Sequence, residues 1–331
     1  MKHKLITLLC LSACSADTSP KIPAGFQLDL PIDCTVGDSC WLINYVDHDT
    51  RDGVVKDAHC EARSYDGHKG TDIAILDWDP AHKGIAILTP APGKVLGVRD
   101  GESDQFPASE KLSEIRARGR ECGNGVRIDH GDGWTTQLCH MKKGSISVNF
   151  GDEINAGTKL GEVGMSGVTQ HPHVHMTLRK DGDVIDPYTG RKASENCGLD
   201  GAQPLWRDAM PYNGFALYDA GFVTSRPDFS DIARGERQAA PHKTSPAFIF
   251  YMSYFGARTG DKTHLIITQP DGTVFRDKKF TQKKNQARRS YFIGDKNSKG
   301  RFMTGTWTAK AIIHRPDTDE RQEITKTIVL D

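Results

Sequence analysis

Short runs of strand-forming residues separated by glycine-rich turns recur between residues 65 and 190, and they constrain the fold more than any other feature. Examples are TDIAIL, GNGVRIDHG, WTTQLCHM and HVHMTLRKDGDVIDP. Apolar and β-branched runs of about four to eight residues, bounded by Gly, Asn or Asp, are typical of strands joined by tight turns. The sequence therefore predicts a mainly β protein with an antiparallel sheet in this region.

Changes in composition divide the chain into five segments. Basic, apolar and then small residues begin the chain, cysteines and turn residues follow, and β-branched and aromatic runs return near the end. We predict a signal peptide at 1–19, a disulfide-tied segment at 20–60, the antiparallel β domain at 61–196, a connector at 197–240 and a small immunoglobulin-like β-sandwich at 241–331.

The first twenty residues, MKHKLITLLCLSACSADTSP, have the layout of a bacterial export signal. The apolar run from Leu5 to Leu11 is too short to span a bilayer. LSAC, which ends at Cys14, is similar to a lipobox, in which the cysteine is acylated and anchors the protein to a membrane. Ordinary cleavage near Ala13 or Ala16 is the alternative. We expect an exported protein, periplasmic or associated with the outer membrane as a lipoprotein.

The 43 Lys and Arg residues balance the 43 Asp and Glu residues, so we expect no nucleic-acid partner. One basic group lies in the predicted sandwich, and it consists of Lys283, Lys284, Arg288 and Arg289. Contact with an anionic polymer is one interpretation of this group, and a solvated sheet edge is the other.

Six cysteines remain after the predicted signal, an even number that favours three disulfides in an exported chain. Cys122 and Cys139 are nearly equidistant from a predicted hairpin turn at residues 131–133, so they are expected to face each other across it. The other two pairings are open. The charged stretch at 100–121 interrupts the strands, and its centre is compatible with one or two helical turns. This stretch either walls a cleft or is a surface loop.

Three histidines occupy every second position of TQHPHVHMTL, residues 169–178. Alternate side chains leave the same face of a strand, so His171, His173 and His175 would point one way while Val174 and Met176 point the other. The pattern is typical of a metal site, although a lone His-x-His more often lies in a core or on a surface.

The stretch YDGHKGTDIAIL supplies further candidate ligands, because His68 and Asp72 share one face of an extended segment. Gly70 between them allows close approach of another group. Catalytic zinc takes three protein ligands and leaves a fourth position for water. His68, Asp72 and one histidine of the His-x-His pair satisfy that count, and the other histidine is a candidate general base or oxyanion stabiliser. A structural site with four protein ligands is the alternative.

Residues 65–190 resemble the lysostaphin-type, or LytM-like, zinc metallopeptidases, which cut peptide bridges in bacterial peptidoglycan. The matching motifs are His-x-Gly-x-Asp at 68–72, the segment ending in His140 and Met141, a glycine-rich stretch, and His-x-His at 173–175. The glycines of that stretch are Gly151, Gly157, Gly161, Gly164 and Gly167. Met176 replaces the usual Phe, while Cys139 and His171 are atypical, and His171 is expected to place a spare imidazole near the site.

The resemblance implies one Zn²⁺ bound by His68, Asp72 and His175, with His140 and His173 as the catalytic pair. It implies peptidoglycan as the partner and endopeptidase as the activity. Lysostaphin itself cuts glycine bridges and other relatives cut D-alanyl to diamino-acid bonds, and the export signal and lipobox favour the second target. Some relatives have lost zinc ligands and activate other cell-wall hydrolases, so a non-catalytic or autoinhibited regulator is the main alternative. A polymer-binding module with a vestigial zinc domain is another.

Overall fold

The computed structural model describes residues 25–79, 84–105, 109–298, 300 and 302–331. The predicted signal peptide and Cys14 lie outside these residues. Within the described ranges, no helix is both long enough and apolar enough to cross a bilayer.

An antiparallel sheet of eight strands organises the N-terminal part and confirms the mainly β prediction. Its strands are β1 (Cys40–Asn44), β2 (Thr71–Ile75), β4 (Gly93–Arg99), β5 (Asn124–Gly131), β6 (Trp134–Met141), β7 (Glu153–Ile154), β9 (His173–Lys180) and β10 (Asp183–Ile185). The order is β1-β2-β9-β6-β5-β4-β7, with β10 beside β9. A separate pair joins β3 (Ala86–Leu88) to β8 (Lys159–Glu162).

The alternation predicted for β9 is present in the structure. Val174 and Met176 are buried in the hydrophobic core under the sheet, where Ile73 of β2 lies opposite Val174. Burying such a side chain stabilises the fold by about 1.5–3 kcal/mol. Because successive side chains of a strand face opposite sides, this packing directs His173 and His175 to the other face.

The N-terminal segment is more regular than we expected. Cys40–Asn44 forms the fully buried edge strand β1, which pairs with β2 and brings Asn44 opposite Asp72. Disulfides join Cys34 to Cys40 and Cys60 to Cys197. The sheet therefore begins about twenty residues before the predicted start at residue 61.

The third disulfide joins Cys122 to Cys139 and confirms the predicted pairing. These cysteines flank the β5–β6 hairpin, whose strands are connected through Gly131 and Gly133, both with positive φ. The predicted total of three disulfides is thereby confirmed. In the insertion at 100–121, helix α1 spans Ser109–Ala117, longer than the one or two turns expected.

Two antiparallel sheets enclose a second core in the C-terminal part, which agrees with the predicted sandwich. One contains β11 (Ala216–Val223), β12 (Ala247–Ala257) and β15 (Gln286–Lys296) in that order. The other has the order β14-β13-β16-β17, formed by β13 (Lys262–Thr268), β14 (Val274–Thr281), β16 (Gly305–Arg315) and β17 (Glu320–Leu330). Phe250, Leu265 and Trp307 are fully buried between the sheets.

The segment that we expected to be a connector contributes to this second part. It contains β11, which pairs with β12, and the short helix α2 (Phe229–Ala233), capped by the Asp228 carboxylate. The strand was missed because the runs around it are interrupted by Pro and Gly. The domain boundaries drawn from the sequence otherwise stay predictions.

The two parts share a small apolar core and an ionic contact whose carboxylates are buried. Trp41, Ile43 and Ala74 of the first sheet pack with Tyr218 and Phe255 of the second part. Nearby, the Arg237 guanidinium forms salt bridges with Asp77 at 2.6 Å and Asp219 at 3.3 Å. The position of the C-terminal sandwich is thus fixed by packing against β1 and β2.

Candidate metal centre

Three neighbouring strands bring the candidate ligands to one place on the sheet. Asp72 on β2 lies opposite His175 on β9, and Cys139 on β6 lies on the other side of His175. His140 follows Cys139 directly. His68 precedes β2 in the loop, four residues before Asp72. The strand register therefore gathers residues that are about a hundred positions apart in sequence.

The donor atoms of His68, Asp72 and His175 form a tight triangle. His68 Nε2 lies 3.2 Å from Asp72 Oδ1 and 3.1 Å from His175 Nδ1, and the third side is 2.7 Å. Ligands about 2.0–2.1 Å from zinc are about 3.3 Å apart in a tetrahedral site. Two nitrogens and one carboxylate oxygen at these separations fit a zinc ion with one position left open.

Hydrogen bonds orient each of these three side chains. The Tyr45 carbonyl accepts from His68 Nδ1 at 2.7 Å, and Asn44 Nδ2 donates to Asp72 Oδ2 at 2.9 Å. His175 Nε2 lies 2.9 Å from Thr177 Oγ1. Such outer contacts fix the tautomer and direction of metal ligands. Sequence reasoning missed Asn44 and Tyr45, because only the pairing of β1 with β2 places them beside the site.

Gly70 is required by the same close packing. A Cβ at this position would lie 2.5 Å from the Met176 carbonyl oxygen and 2.7 Å from the His175 imidazole. Real Cβ atoms essentially never approach that closely. The glycine between His68 and Asp72 therefore allows β9 to lie against this loop, as the spacing predicted.

His140 and His173 lie beside the triangle. Their ring centroids are 4.6 Å apart, and His173 Nε2 is 3.7 Å from Asp72 Oδ1. His173 Nδ1 donates to the His171 carbonyl at 2.8 Å, and His140 Nδ1 donates to the Ser166 carbonyl at 2.8 Å. Each Nδ1–H is thereby committed to backbone, which leaves each Nε2 as an acceptor in the neutral imidazole.

His140 is held in an uncommon backbone conformation, with φ of 63°. Its amide donates to the Cys122 carbonyl at 2.8 Å, while the preceding Cys139 is bonded to the Cys122 sulfur. A non-glycine residue at positive φ costs about 1–3 kcal/mol and persists only where its surroundings enforce it. Here the disulfide and the amide hydrogen bond both hold this part of the backbone against Cys122.

Burial and the neighbouring charged groups together set the protonation of the centre. Burial lowers the pKa of His140 well below its usual range, and the neighbouring His173 and His175 lower it further. Burial alone would raise the pKa of Asp72, but the adjacent His68, His173 and His175 outweigh it, so the pKa lies well below its usual range. A neutral imidazole therefore lies beside an ionised carboxylate.

The insertion at 100–121 is fastened next to His140. The Asp104 carboxylate accepts from the amides of Lys143 and Met165, each at 2.8 Å, and residue 104 forms a bridge with Ser166. The Asn124 side-chain oxygen accepts a hydrogen bond from the Gly101 amide of the same stretch at 2.8 Å. The base of the insertion therefore borders the segment that supplies the hydrogen-bond acceptor for His140.

His171 does not join the centre, contrary to our expectation of a spare imidazole near it. Its Nε2 donates to the Ile75 carbonyl at 2.8 Å, and its Nδ1 accepts from Arg288 at 3.0 Å. The ring packs edge-on against Tyr218 and Phe255 of the C-terminal part. His171 precedes β9, so the alternation of the strand does not extend to it.

Sequence reasoning also missed Tyr65. Its side chain is half exposed, and its ring centre lies 4.3 Å from that of His68.

Comparison with known proteins identifies a family for the part of the chain that contains this site. Residues 66–187 match the family model of peptidase family M23, which confirms the resemblance found in the sequence. The cell division protein DipM of Caulobacter vibrioides is 30% identical over 107 residues, which are 31% of this chain and 15% of that protein. An uncharacterized metalloprotease of Buchnera aphidicola is 31% identical over 106 residues, which are 32% of this chain and 25% of the relative.

One solved structure with a related sequence is a mutant catalytic domain of the prophage-encoded M23 protein EnpA from Enterococcus faecalis. It is 26% identical, with a TM-score of 0.30, and the match covers 44% of this chain and 88% of that domain. The chain thus spans about a quarter or less of the length of the two curated relatives, and the matches cover about a third of this chain.

Proposed function

Residues 66–187 are a peptidase family M23 domain, and on that premise we propose that the protein is a zinc-dependent peptidoglycan endopeptidase. In this proposal His68, Asp72 and His175 bind one Zn²⁺, and His140 and His173 act on the reacting atoms. The observation that carries the proposal is the triangle of donor atoms, with sides of 2.7–3.2 Å, beside two imidazoles with acceptor Nε2 atoms.

A zinc ion held by these three residues would polarise the scissile carbonyl and make the attacking water more acidic. The donor set suits this metal, since imidazole nitrogen and carboxylate oxygen are ordinary zinc ligands. Asn44 and Tyr45 keep Asp72 and His68 directed inward through the hydrogen bonds described above.

His140 is the proposed general base. It is neutral because of its burial, its Nδ1–H is committed to the Ser166 carbonyl, and its Nε2 makes no hydrogen bond to another described residue. That Nε2 accepts a proton from the attacking water as the new carbon–oxygen bond forms. The protonated imidazole then delivers the proton to the nitrogen of the leaving amine as the peptide bond breaks.

His173 is the proposed partner of His140 in this step. Its Nδ1 is fixed by the His171 carbonyl, its Nε2 lies 3.7 Å from Asp72 Oδ1, and its ring centre is 4.6 Å from that of His140. In this position the side chain orients the attacking water and, when protonated, donates to the developing oxyanion.

The substrate that fits best is cross-linked peptidoglycan with D-alanyl to diamino-acid bonds. The family and the export signal expected at 1–19 support a cell-wall substrate, and three disulfides are typical of a protein outside the cytoplasm. We place the protein in the periplasm, anchored to a membrane if Cys14 is acylated.

The test is mass spectrometry of the products from purified sacculi. Zinc-loaded protein beginning after Cys14 is incubated beside its His140→Ala variant, and the muropeptides are separated. Conversion of cross-linked dimers into monomers by the unaltered protein alone would establish an endopeptidase and identify the bond. Unchanged sacculi, with zinc shown to be bound, would overturn the proposal and favour a regulator of another hydrolase.

A further inference from the structure

A basic groove on the C-terminal sandwich has no role in the proposed reaction. Two adjoining depressions of about 570 and 540 Å³ lie beside β15 and share Phe280, Gln286, Arg289 and Tyr291 among their walls. Volumes of this size accommodate small ligands or a short stretch of polymer. We call the two together the basic groove.

Six cations line the basic groove: Arg226, Lys278, Lys283, Lys284, Arg288 and Arg289. Within the described ranges none of them forms a salt bridge with a carboxylate. The chain as a whole has a net charge of zero, so this local excess of positive charge is not a result of its composition. A concave surface with charge of one sign attracts ligands of the opposite sign.

Aromatic rings hold three of these cations in place. The Arg289 guanidinium lies 4.6 Å from the ring centre of Tyr291, Lys278 lies 5.3 Å from that of Phe280, and Arg226 lies 5.8 Å from that of Phe292. Stacking on a ring restricts the side chain without neutralising its charge. In addition, Arg289 Nε is buried and has no hydrogen-bond partner in the described structure.

The basic groove is connected to the candidate metal centre through His171. Arg288, which lines the groove, donates to His171 Nδ1 at 3.0 Å. The carbonyl of His171 in turn accepts from His173 Nδ1 at 2.8 Å. Two hydrogen bonds therefore separate Arg288, in the wall of the groove, from a proposed catalytic residue.

We infer that the basic groove binds carboxylate groups of the cell-wall polymer on which the metal centre is proposed to act. The inference rests on the proposed function, and it assigns the C-terminal sandwich a part in substrate binding. Carboxylates fit because they are compact anions that accept hydrogen bonds from guanidinium and ammonium groups. The side chains that would contact the substrate first are Lys278 and Arg289, while Arg288 also supports His171.

The test compares two double variants in the full chain with matched loss of charge. Lys278→Gln/Arg289→Gln removes one Lys and one Arg from the basic groove. Arg321→Gln/Lys326→Gln removes the same pair from β17, the strand farthest from β14 in its sheet. Both pairs are placed in the His140→Ala background, so that binding is measured without hydrolysis.

The probe is a soluble cross-linked muropeptide, offered with free carboxylates and with the same carboxylates converted to amides. We expect the groove variant to bind the free acid about 5- to 30-fold more weakly, since each exposed ionic contact is modest. The control variant binds the free acid as tightly as the parent does. With the amidated probe, the groove variant and the parent bind equally tightly. In the hydrolytic background the loss appears in KM rather than in kcat.

Equal binding of both probes, or an equal loss in the control variant, would overturn the inference. Binding of anionic phospholipid vesicles that depends on Lys278 and Arg289, with no preference between the probes, would also overturn it and assign the groove to a membrane surface. Hydrolysis of sacculi by the unaltered protein is scored separately, so failure of the proposed function is distinguishable from failure of this inference.

Discussion

Removal of the Cys122–Cys139 disulfide is expected to lower both the stability of the fold and the rate of hydrolysis, for two separate reasons. The bridge closes the β5–β6 hairpin, and it also holds Cys139 next to His140, whose amide donates to the Cys122 carbonyl at 2.8 Å. The variant Cys122→Ser/Cys139→Ser removes the covalent bond while it preserves small polar side chains.

The loss of stability follows from the length of the closed loop. The cysteines are separated by 17 residues, and the chain-entropy relation gives about 3 kcal/mol at 25 °C for a loop of that length. The loss of rate follows from His140, because its φ of 63° relaxes once one of its two restraints is removed. A displacement of about 1 Å in a catalytic group lowers the rate about 100-fold.

Urea unfolding measures the first effect, and kcat on cross-linked muropeptides, at a temperature where the variant is folded, measures the second. Zinc content should be unchanged, because neither cysteine is a proposed ligand and the variant keeps the backbone pairing of residue 139 with His175. The control is Cys34→Ser/Cys40→Ser, where a separation of 6 residues gives about 2 kcal/mol, with kcat unchanged. Full kcat in the Cys122→Ser/Cys139→Ser protein would refute the positioning of His140 by the disulfide. A free energy of unfolding equal to that of the unaltered protein would refute the entropic argument.

Three other changes test the site and the contact between the two parts. Alanine at any of the three proposed ligands should abolish zinc binding and hydrolysis, whereas His140→Ala should retain the metal and lose about 10²- to 10⁴-fold in rate; full zinc stoichiometry in a ligand variant would contradict the assignment. Gly70→Ala should lower zinc affinity without changing the set of ligands, because its Cβ would lie 2.7 Å from the His175 ring. Metal titration measures the affinity, and an unchanged value would refute the role of close packing. Arg237→Met should destabilise the protein by about 3 kcal/mol at neutral pH. Burial already raises the pKa of Asp219 despite Arg237, so loss of the guanidinium raises it further. The loss of stability in the variant should therefore disappear as the pH falls below about 4, where the Asp219 carboxyl is protonated in the folded and the unfolded state. A loss of unfolding free energy that does not change with pH in urea unfolding would contradict this.

The parts of the site that the sequence predicts are those in which local spacing is sufficient. Alternation along β9 correctly indicates that Val174 and Met176 face the core, and the glycine in His-x-Gly-x-Asp correctly indicates a close approach. The hairpin between Cys122 and Cys139 is local too, so its disulfide is predictable from the distance of each cysteine to the turn.

The parts that the sequence does not predict depend on contacts between distant segments. CWLIN is a short apolar run, and only its pairing with β2 shows that Asn44 supports Asp72. His171 follows the same spacing as His173 and His175, but it precedes the strand and packs against Tyr218 instead. Periodicity describes one strand at a time and carries no information about which segment lies across from it.

The shared apolar core between the two parts also determines how the protein can be divided. Trp41, Ile43 and Ala74 are covered by Tyr218 and Phe255 rather than by their own sheet. A fragment that ends near residue 196 would leave these side chains in water, together with the carboxylate of Asp77 that Arg237 contacts. The smallest unit that retains the covered surface of the first sheet therefore includes the C-terminal sandwich.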